Sequence, residues 1–130
     1  MPYAVIPSIR VRDVPGALRF YTEVLGFELV RGGPGELNNS LKLGDANIMI
    51  EGVGGFYSEE YNRAIERRMG GLSPNALYIE GADLEGLAAR AVSAGAKVVD
   101  PLQPREWGQS ELTIEDPEGN WLTFWQASQG

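Results

Sequence analysis

The feature that most constrains this chain is an internal repeat. Asp13-Val14-Pro15-Gly16 is answered by Asp83-Leu84-Glu85-Gly86, Gly26-Phe27-Glu28-Leu29-Val30 by Gly95-Ala96-Lys97-Val98-Val99, and Gly44-Asp45-Ala46-Asn47-Ile48 by Glu118-Gly119-Asn120-Trp121-Leu122. In each half an Asp suited to capping a helix, an apolar stripe at helical spacing, a Gly just past the helix and a following strand recur in the same order. A period near 70 residues is too long for a solenoid. It predicts a duplicated βαβββ unit, an α+β fold in which each helix covers one sheet face and the other face curls around a cleft. The 130 residues are expected to form one domain, residues 1–130: a first module at about 4–52, a connector helix at about 53–72 and a second module at about 73–127.

Residues 4–11 read as a strand interrupted early by Pro7, with Ile9 and Val11 on one face and Ile6, Ser8 and Arg10 on the other. Asp13 caps a helix carrying Ala17, Leu18, Tyr21, Val24 and Leu25, which stops at Gly26. Residues 27–30 read as a strand, Gly32-Gly33-Pro34-Gly35 as a turn, and 37–43 and 46–51 as a hairpin across Gly44-Asp45. Ser58 caps the connector, whose acidic first turn (Glu59, Glu60) and basic last turn (Arg67, Arg68) match the helix dipole. Tyr57, Tyr61, Ile65 and Met69 recur every four residues, so this helix is expected to lie across the protein's own cleft or a second subunit. A strand at 75–80, a helix capped by Asp83, a strand at 97–100, a loop at 101–108 and strands at 109–115 and 120–126 complete the second half.

The last strand says most about chemistry. In the turn before it, Asp116-Pro117-Glu118-Gly119-Asn120, Pro117 presets φ and Gly119-Asn120 accept positive φ. Leu122 and Phe124 then alternate with Trp121, Thr123 and Trp125. The first pair suits a core under a helix, and the second set puts two indoles around a hydroxyl. There is no His and no Cys, which removes the commonest general base, the commonest transition-metal ligands, disulfides and thiol catalysis. A formal net charge of −7 repels nucleic acid phosphates and favours a cationic partner. No apolar run approaches the ~20 residues that span a membrane. The N-terminus lacks the basic and long apolar regions of a signal peptide, so a cytoplasmic location is expected.

The helix signature Arg12-Asp13-Val14-Pro15-Gly16-Ala17-Leu18-Arg19-Phe20-Tyr21-Thr22-Glu23-Val24-Leu25-Gly26-Phe27, together with Trp107-Gly108-Gln109-Ser110-Glu111-Leu112 and Asp116-Pro117-Glu118-Gly119-Asn120, resembles the vicinal oxygen chelate superfamily of glyoxalases, extradiol dioxygenases, fosfomycin-resistance proteins and bleomycin-resistance proteins. The resemblance covers nearly the whole chain. It implies that an enzyme of this type would hold a divalent metal with His and Glu on cleft-facing strand positions. Carried over singly, the first-strand His falls near Ile6, the His opening the second half near Ala76, and the Glu of the last strand on Thr123; the fourth position falls on Asn47 or Met49. None of the three placed positions has a suitable donor, so no zinc, iron or nickel site and no cofactor is expected. One alternative is an oxygen-only Mg or Mn site built from Glu51, Glu80 and Glu111. Another is a lyase, isomerase or dioxygenase-like enzyme in which Glu111 or Glu80, its pKa raised by burial, acts as a base. Otherwise these carboxylates are solvated or paired with Arg10, Lys42 or a ligand.

Within the superfamily the chain most resembles the metal-free bleomycin-resistance type, whose members are acidic dimers that sequester a cationic, aromatic antibiotic between subunits. That implies a homodimer binding an aromatic or cationic small molecule, with no nucleic acid and no membrane as partner. The candidate ligand-binding residues are the indoles Trp107, Trp121 and Trp125 around Thr123, whose rings can stack on flat molecules or hold a cation. Glu51, Glu80 and Glu111 would supply charge, Tyr78, Met49 and Arg10 further contacts, and Tyr57, with Phe56 and Tyr61, closure from the connector. The competing structural reading has Trp107 over an ordinary core, Trp125 at a subunit interface and the connector helix filling the cleft.

Overall fold

Pro7 decides where the first sheet starts. It has no N–H to give to a ladder, and β1 is confined to Ser8–Arg10, shorter than the expected 4–11. Its flanks still contribute one bond each: Met49 N donates to Pro7 O and Val11 N to Glu51 O, both at 2.9 Å. These positions come from a computed structural model that describes residues 4–55, 57–71 and 73–128; Phe56, one of the expected closing aromatics, lies outside the described residues.

Helix α1 (Val14–Arg19) begins where expected, with the Asp13 carboxylate accepting from Gly16 N at 3.0 Å and Pro15 in the first turn. It then widens into a single π turn, Phe20–Val24, closed by Leu25 N donating to Phe20 O at 3.1 Å. Simple helical periodicity did not predict this change of pitch. Tyr21 and Leu25 are both buried, and Gly26, at φ 87°, ends the helix in the left-handed region. Strands β2 (Glu28–Arg31), β3 (Asn38–Leu43) and β4 (Ala46–Glu51) complete a sheet of order β1-β4-β3-β2, with β1 parallel to β4 and the other pairs antiparallel. Buried Asn39 pins the turn between β2 and β3: its Oδ1 accepts from Gly33 N (2.7 Å) and its Nδ2 donates to Glu36 O (3.0 Å) and Ile50 O (3.3 Å). The connector helix α2 (Glu59–Arg68), capped by Ser58 Oγ accepting from Tyr61 N, buries none of its residues.

The second half repeats the plan. β5 (Ala76–Glu80), α3 (Leu84–Ser93, capped by Asp83), β6 (Lys97–Pro104), β7 (Gln109–Glu115) and β8 (Trp121–Ala127) form a sheet of order β5-β8-β7-β6. The identical order and pairing make the protein an α+β fold of two tandem βαβββ modules. It divides into two compact units, Met1–Gly71 and Leu72–Gly130, so the connector helix groups with the first. The turn into β8 is organised by the buried Asp116 carboxylate, which accepts from Glu118 N (2.9 Å), Asn120 N (2.8 Å) and Asn120 Nδ2 (3.0 Å).

A further expected boundary is corrected. The loop expected from residue 101 is strand as far as Pro104, because β6 continues through two slips in its register with β7, between Val98 and Asp100 and between Asp100 and Gln103. Pro101 and Pro104 cannot donate to a regular ladder, and such irregular pairing re-aims side chains. In both units alternation sends alternate residues to the helix side. Ile9, Val11, Leu41, Ile48 and Ile50 are buried with Val14, Ala17, Leu18 and Tyr21, and Ile79, Leu112, Ile114, Leu122 and Phe124 with Leu84, Leu87 and Ala91. Each large apolar side chain so buried contributes about 1.5–3 kcal/mol. Among the described residues no helix is long and apolar enough to cross a membrane.

Candidate functional site

The strand residues that do not enter the core share the opposite sheet face. On the second sheet, register sets three rows across that face: Glu80, Trp125, Glu111 and Gln103; then Tyr78, Thr123, Thr113 and Asp100; then Ala76, Trp121, Glu115 and Lys97. Trp121, Thr123, Trp125, Glu111 and Tyr78 therefore lie on one surface. Trp107, from the turn between β6 and β7, joins them through a hydrogen bond.

Glu111 is the centre of this surface, at 7% exposure. Its Oε2 accepts from the Tyr78 hydroxyl and from Trp107 Nε1 (3.2 Å), and its Oε1 from Arg105 Nε (3.2 Å). Arg105 also pairs with Asp100, whose Oδ1 accepts from Gln103 Nε2 at 2.7 Å. The slips in β6 make this network possible by bringing Asp100, Gln103 and Arg105 beside β7. The hydrogen bond from Tyr78 is the largest influence on Glu111 and holds its carboxyl below the usual range; burial opposes, and Arg105 and Trp107 reinforce. The same bond raises the Tyr78 phenol, and Asp100 followed by Glu111 raises Arg105. The expectation that burial would raise Glu111 toward a general base is reversed, because three donors outweigh desolvation.

The aromatic groups are held in place. Tyr78 and Trp125 stack with ring centroids 6.2 Å apart and planes 17° apart, and Arg105 Cζ lies 5.9 Å from the Trp107 ring centre. Trp121 Nε1 donates to Glu115 Oε1 (3.0 Å), which in turn pairs with Lys97 (3.7 Å). Thr123 Oγ1 meets Thr113 Oγ1 at 2.8 Å. Glu80 is exposed at the end of its row.

On the first sheet, Arg10, Glu51 and Asn38 form one row and Ser8, Met49 and Ser40 the next. Glu51, 4% exposed, accepts from Ser8 Oγ and Tyr57 Oη (3.4 Å) and pairs with Arg10 (3.6 Å). Burial is the largest single influence on Glu51 and raises its pKa, but the hydrogen bonds from Ser8 and Asn38, the Arg10 charge and Tyr57 together bring it below the ordinary value. Arg10 Cζ lies 5.0 Å from the centre of the Tyr57 ring and 5.4 Å from that of Tyr61, and these rings stack at 4.3 Å and 18°. The connector's two tyrosines thus lie against the first unit's own sheet face. Lys42 pairs with Glu28 at 3.9 Å, away from the role suggested for it beside Glu51, Glu80 or Glu111.

Register also relates the two halves. Ser8 and Ser40 flank Met49 as Tyr78 and Thr113 flank Thr123, so Met49, not Asn47, is the counterpart of Thr123. A thioether at Met49, a hydroxyl at Thr123 and hydrocarbon at Ile6 and Ala76 do not fit the His/Glu site of the superfamily's metalloenzymes. Among the described residues no three acidic side chains gather as a metal group. Sequence reasoning missed Arg105, Asp100 and Thr113, since their position depends on the β6 slips and on cross-strand register.

No curated protein sequence matches the chain significantly. Solved structures share its fold. They include TioX from Micromonospora sp. ML1 (22% identity, TM-score 0.74, covering 97% of this chain and 99% of that one) and the antibiotic binding protein TnmS3 from Streptomyces sp. CB03234 (24%, 0.66, 98% and 99%). The fosfomycin resistance protein FosX from Mesorhizobium loti is similar at 16% identity and TM-score 0.67, covering 98% and 94%. Residues 3–124 match the superfamily profile itself, and the chain, with its two βαβββ modules, belongs to the Glyoxalase/Bleomycin resistance protein/Dioxygenase superfamily.

Proposed function

We propose that this protein is a metal-free binding protein that sequesters a small aromatic or cationic molecule, as one functional domain that works as a cytoplasmic homodimer. The observation that carries the reading is the open face of the second sheet. There the stacked rings of Tyr78 and Trp125 lie beside Glu111, itself hydrogen-bonded to Trp107, and two hydroxyls, Thr113 and Thr123, meet where a chelate would need a carboxylate. Indole and phenol faces attract flat molecules and cations. Asp100, Glu111 and Arg105 together carry one net negative charge, which favours a cation modestly. Support also comes from TnmS3, an antibiotic binding protein, at a likeness that speaks to fold. A base role for Glu111 is disfavoured by the three donors that stabilise its ionised form and leave it a weak proton acceptor.

Titration with bleomycin and a panel of planar compounds, followed by Trp fluorescence, tests this. Saturable quenching is expected for at least one compound, weakened about three- to ten-fold in Trp125→Ala through lost stacking. A flat response across the panel would refute the reading. Stoichiometric divalent metal in protein purified without chelators, lost in Glu111→Ala, would overturn its metal-free part.

A further inference from the structure

The two sheets carry opposite charges at one pair of matching positions. Ser8, Met49 and Ser40 answer Tyr78, Thr123 and Thr113, and in the next row Arg10, Glu51 and Asn38 answer Glu80, Trp125 and Glu111. Arg10 and Glu80 therefore hold the same place in the two modules. On the first sheet that place is a seated cation. The Arg10 guanidinium pairs with Glu51 (3.6 Å) and lies 5.0 and 5.4 Å from the centres of the stacked Tyr57 and Tyr61 rings. The second sheet has the carboxylate and the rings. Tyr78 and Trp125 stack with planes 17° apart, and Glu80 stands two residues from Tyr78 on β5 and opposite Trp125 on β8. Residues so placed share one face. The other acidic groups of this face are matched, Asp100 and Glu111 by Arg105 and Glu115 by Lys97. Among the described residues no basic side chain pairs with Glu80. Glu80 is exposed and Tyr78 is 56% exposed, so a molecule from solvent reaches both.

We infer that Glu80 and the Tyr78–Trp125 stack form a seat for a planar organic cation, an amidinium or guanidinium head group, which does there what the Arg10 guanidinium does on the first sheet. This deepens the binding reading above and rests on it. The head group is a cation because an unmatched carboxylate stands beside aromatic faces, and both attract positive charge. It is planar because a flat fork can meet a carboxylate with two N–H groups while lying against a ring, which a compact ammonium does less well. The wider charge distribution agrees. Met1–Gly71 holds eight Lys and Arg against nine Asp and Glu, whereas Leu72–Gly130 holds three against nine, so the second unit carries −6 of the chain's −7. Such a field draws cations toward the unit that bears the seat. Part of the seat is fixed before a ligand arrives, since the Tyr78 hydroxyl donates to Glu111 and holds its ring on Trp125.

Benzamidine and benzamide form the test pair. They share a phenyl ring and a flat head group and differ in charge. Binding is followed by Trp fluorescence and, in nitrogen-15-labelled protein, by the Trp125 indole N–H resonance, assigned by its loss in Trp125→Phe. Benzamidine is expected to bind at least about five-fold tighter than benzamide and to shift the Trp125 resonance. In Glu80→Gln that preference should fall to within about two-fold. Glu85→Gln, which removes the same charge from α3 on the helix side of the sheet, should keep it. Both substitutions are at exposed positions and are expected to leave the fold intact, and the comparison in the unaltered protein stands without them. Equal affinity for the two compounds, a preference that survives Glu80→Gln or is lost equally in Glu85→Gln, or an unmoved Trp125 resonance overturns the cation seat and leaves the binding reading intact. So does failure of both compounds to bind while another planar compound binds. Failure of both, together with flat Trp fluorescence across the planar panel, overturns both.

Discussion

Replacing Glu111 by Gln removes one charge and one acceptor from a carboxylate that meets three donors. Gln has a single carbonyl oxygen. If that oxygen keeps the place of Oε2 beside Tyr78 and Trp107, the new NH₂ points at Arg105 Nε, donor against donor. One charge-assisted hydrogen bond is lost outright, and the other two become neutral. At 7% exposure little solvent is available to compensate, and the expected cost is about 2–4 kcal/mol at neutral pH. The pH dependence follows from the direction of the shift. Glu111 sits below its ordinary value of 4.5 in the folded protein. Its contribution to stability is therefore complete above that value and disappears as pH falls through the lower, folded-state value. The Gln variant has no such group, so the gap between the two proteins should be widest at neutral pH and close in acid, as pH falls through the lowered folded-state value. Urea unfolding followed by Trp fluorescence is the suitable assay, since Trp107, Trp121 and Trp125 all lie in the unit Leu72–Gly130. Glu51 titrates alike in both proteins and cancels in the difference. A gap that is equally large in acid, or absent at neutral pH, would refute the account of Glu111 as a carboxylate stabilised by its donors.

Two further outcomes follow from the turns. Asp116→Ala should destabilise the second unit by about 2–3 kcal/mol in the same assay, because three donors on Glu118 and Asn120 lose a buried acceptor. Gly32→Ala should lower the melting temperature clearly, since Gly32 holds φ +112° and a Cβ there would collide with the Asn39 amide; Gly33→Ala, with nothing within 4 Å of its Cβ, should leave it nearly unchanged.

Much of the fold was legible because it rests on local signals. Asp13, Ser58 and Asp83 cap helices as their spacing to the next apolar run implies, and the limits of β4 and β7 match the expected ones to the residue. The boundaries that moved are those where neighbouring strands or packing decide. β1 shortened at Pro7, the first helix took a π turn, and β6 ran past Pro101 with its register slipped. None of these has a distinctive periodicity. The candidate site divides the same way. The common face of Trp121, Thr123 and Trp125 was readable because strand alternation is local. Of its partners, Glu111, Tyr78 and Trp107 were named with it, but Arg105 and Asp100 were not, since they lie in a segment read as ending in a loop.

The chain's own residues settle that no His or Cys is present to hold a soft metal, that two halves share one plan, and that indoles alternate with core residues on the last strand. These follow from residue type and spacing alone. Tertiary structure decided which donors Glu51 and Glu111 meet, and with them the direction in which each carboxyl shifts. In sequence Glu111 is a carboxylate that burial would push toward neutrality, and Glu51 one that supplies charge or an oxygen ligand. In the fold Ser8, Arg10 and Tyr57 surround one, and Tyr78, Arg105 and Trp107 the other, so both are held below the usual range. The difference is physical: burial depends on local pattern, whereas hydrogen bonds to a carboxylate come from residues as far as 43 positions away in the chain, brought close only when strands pair.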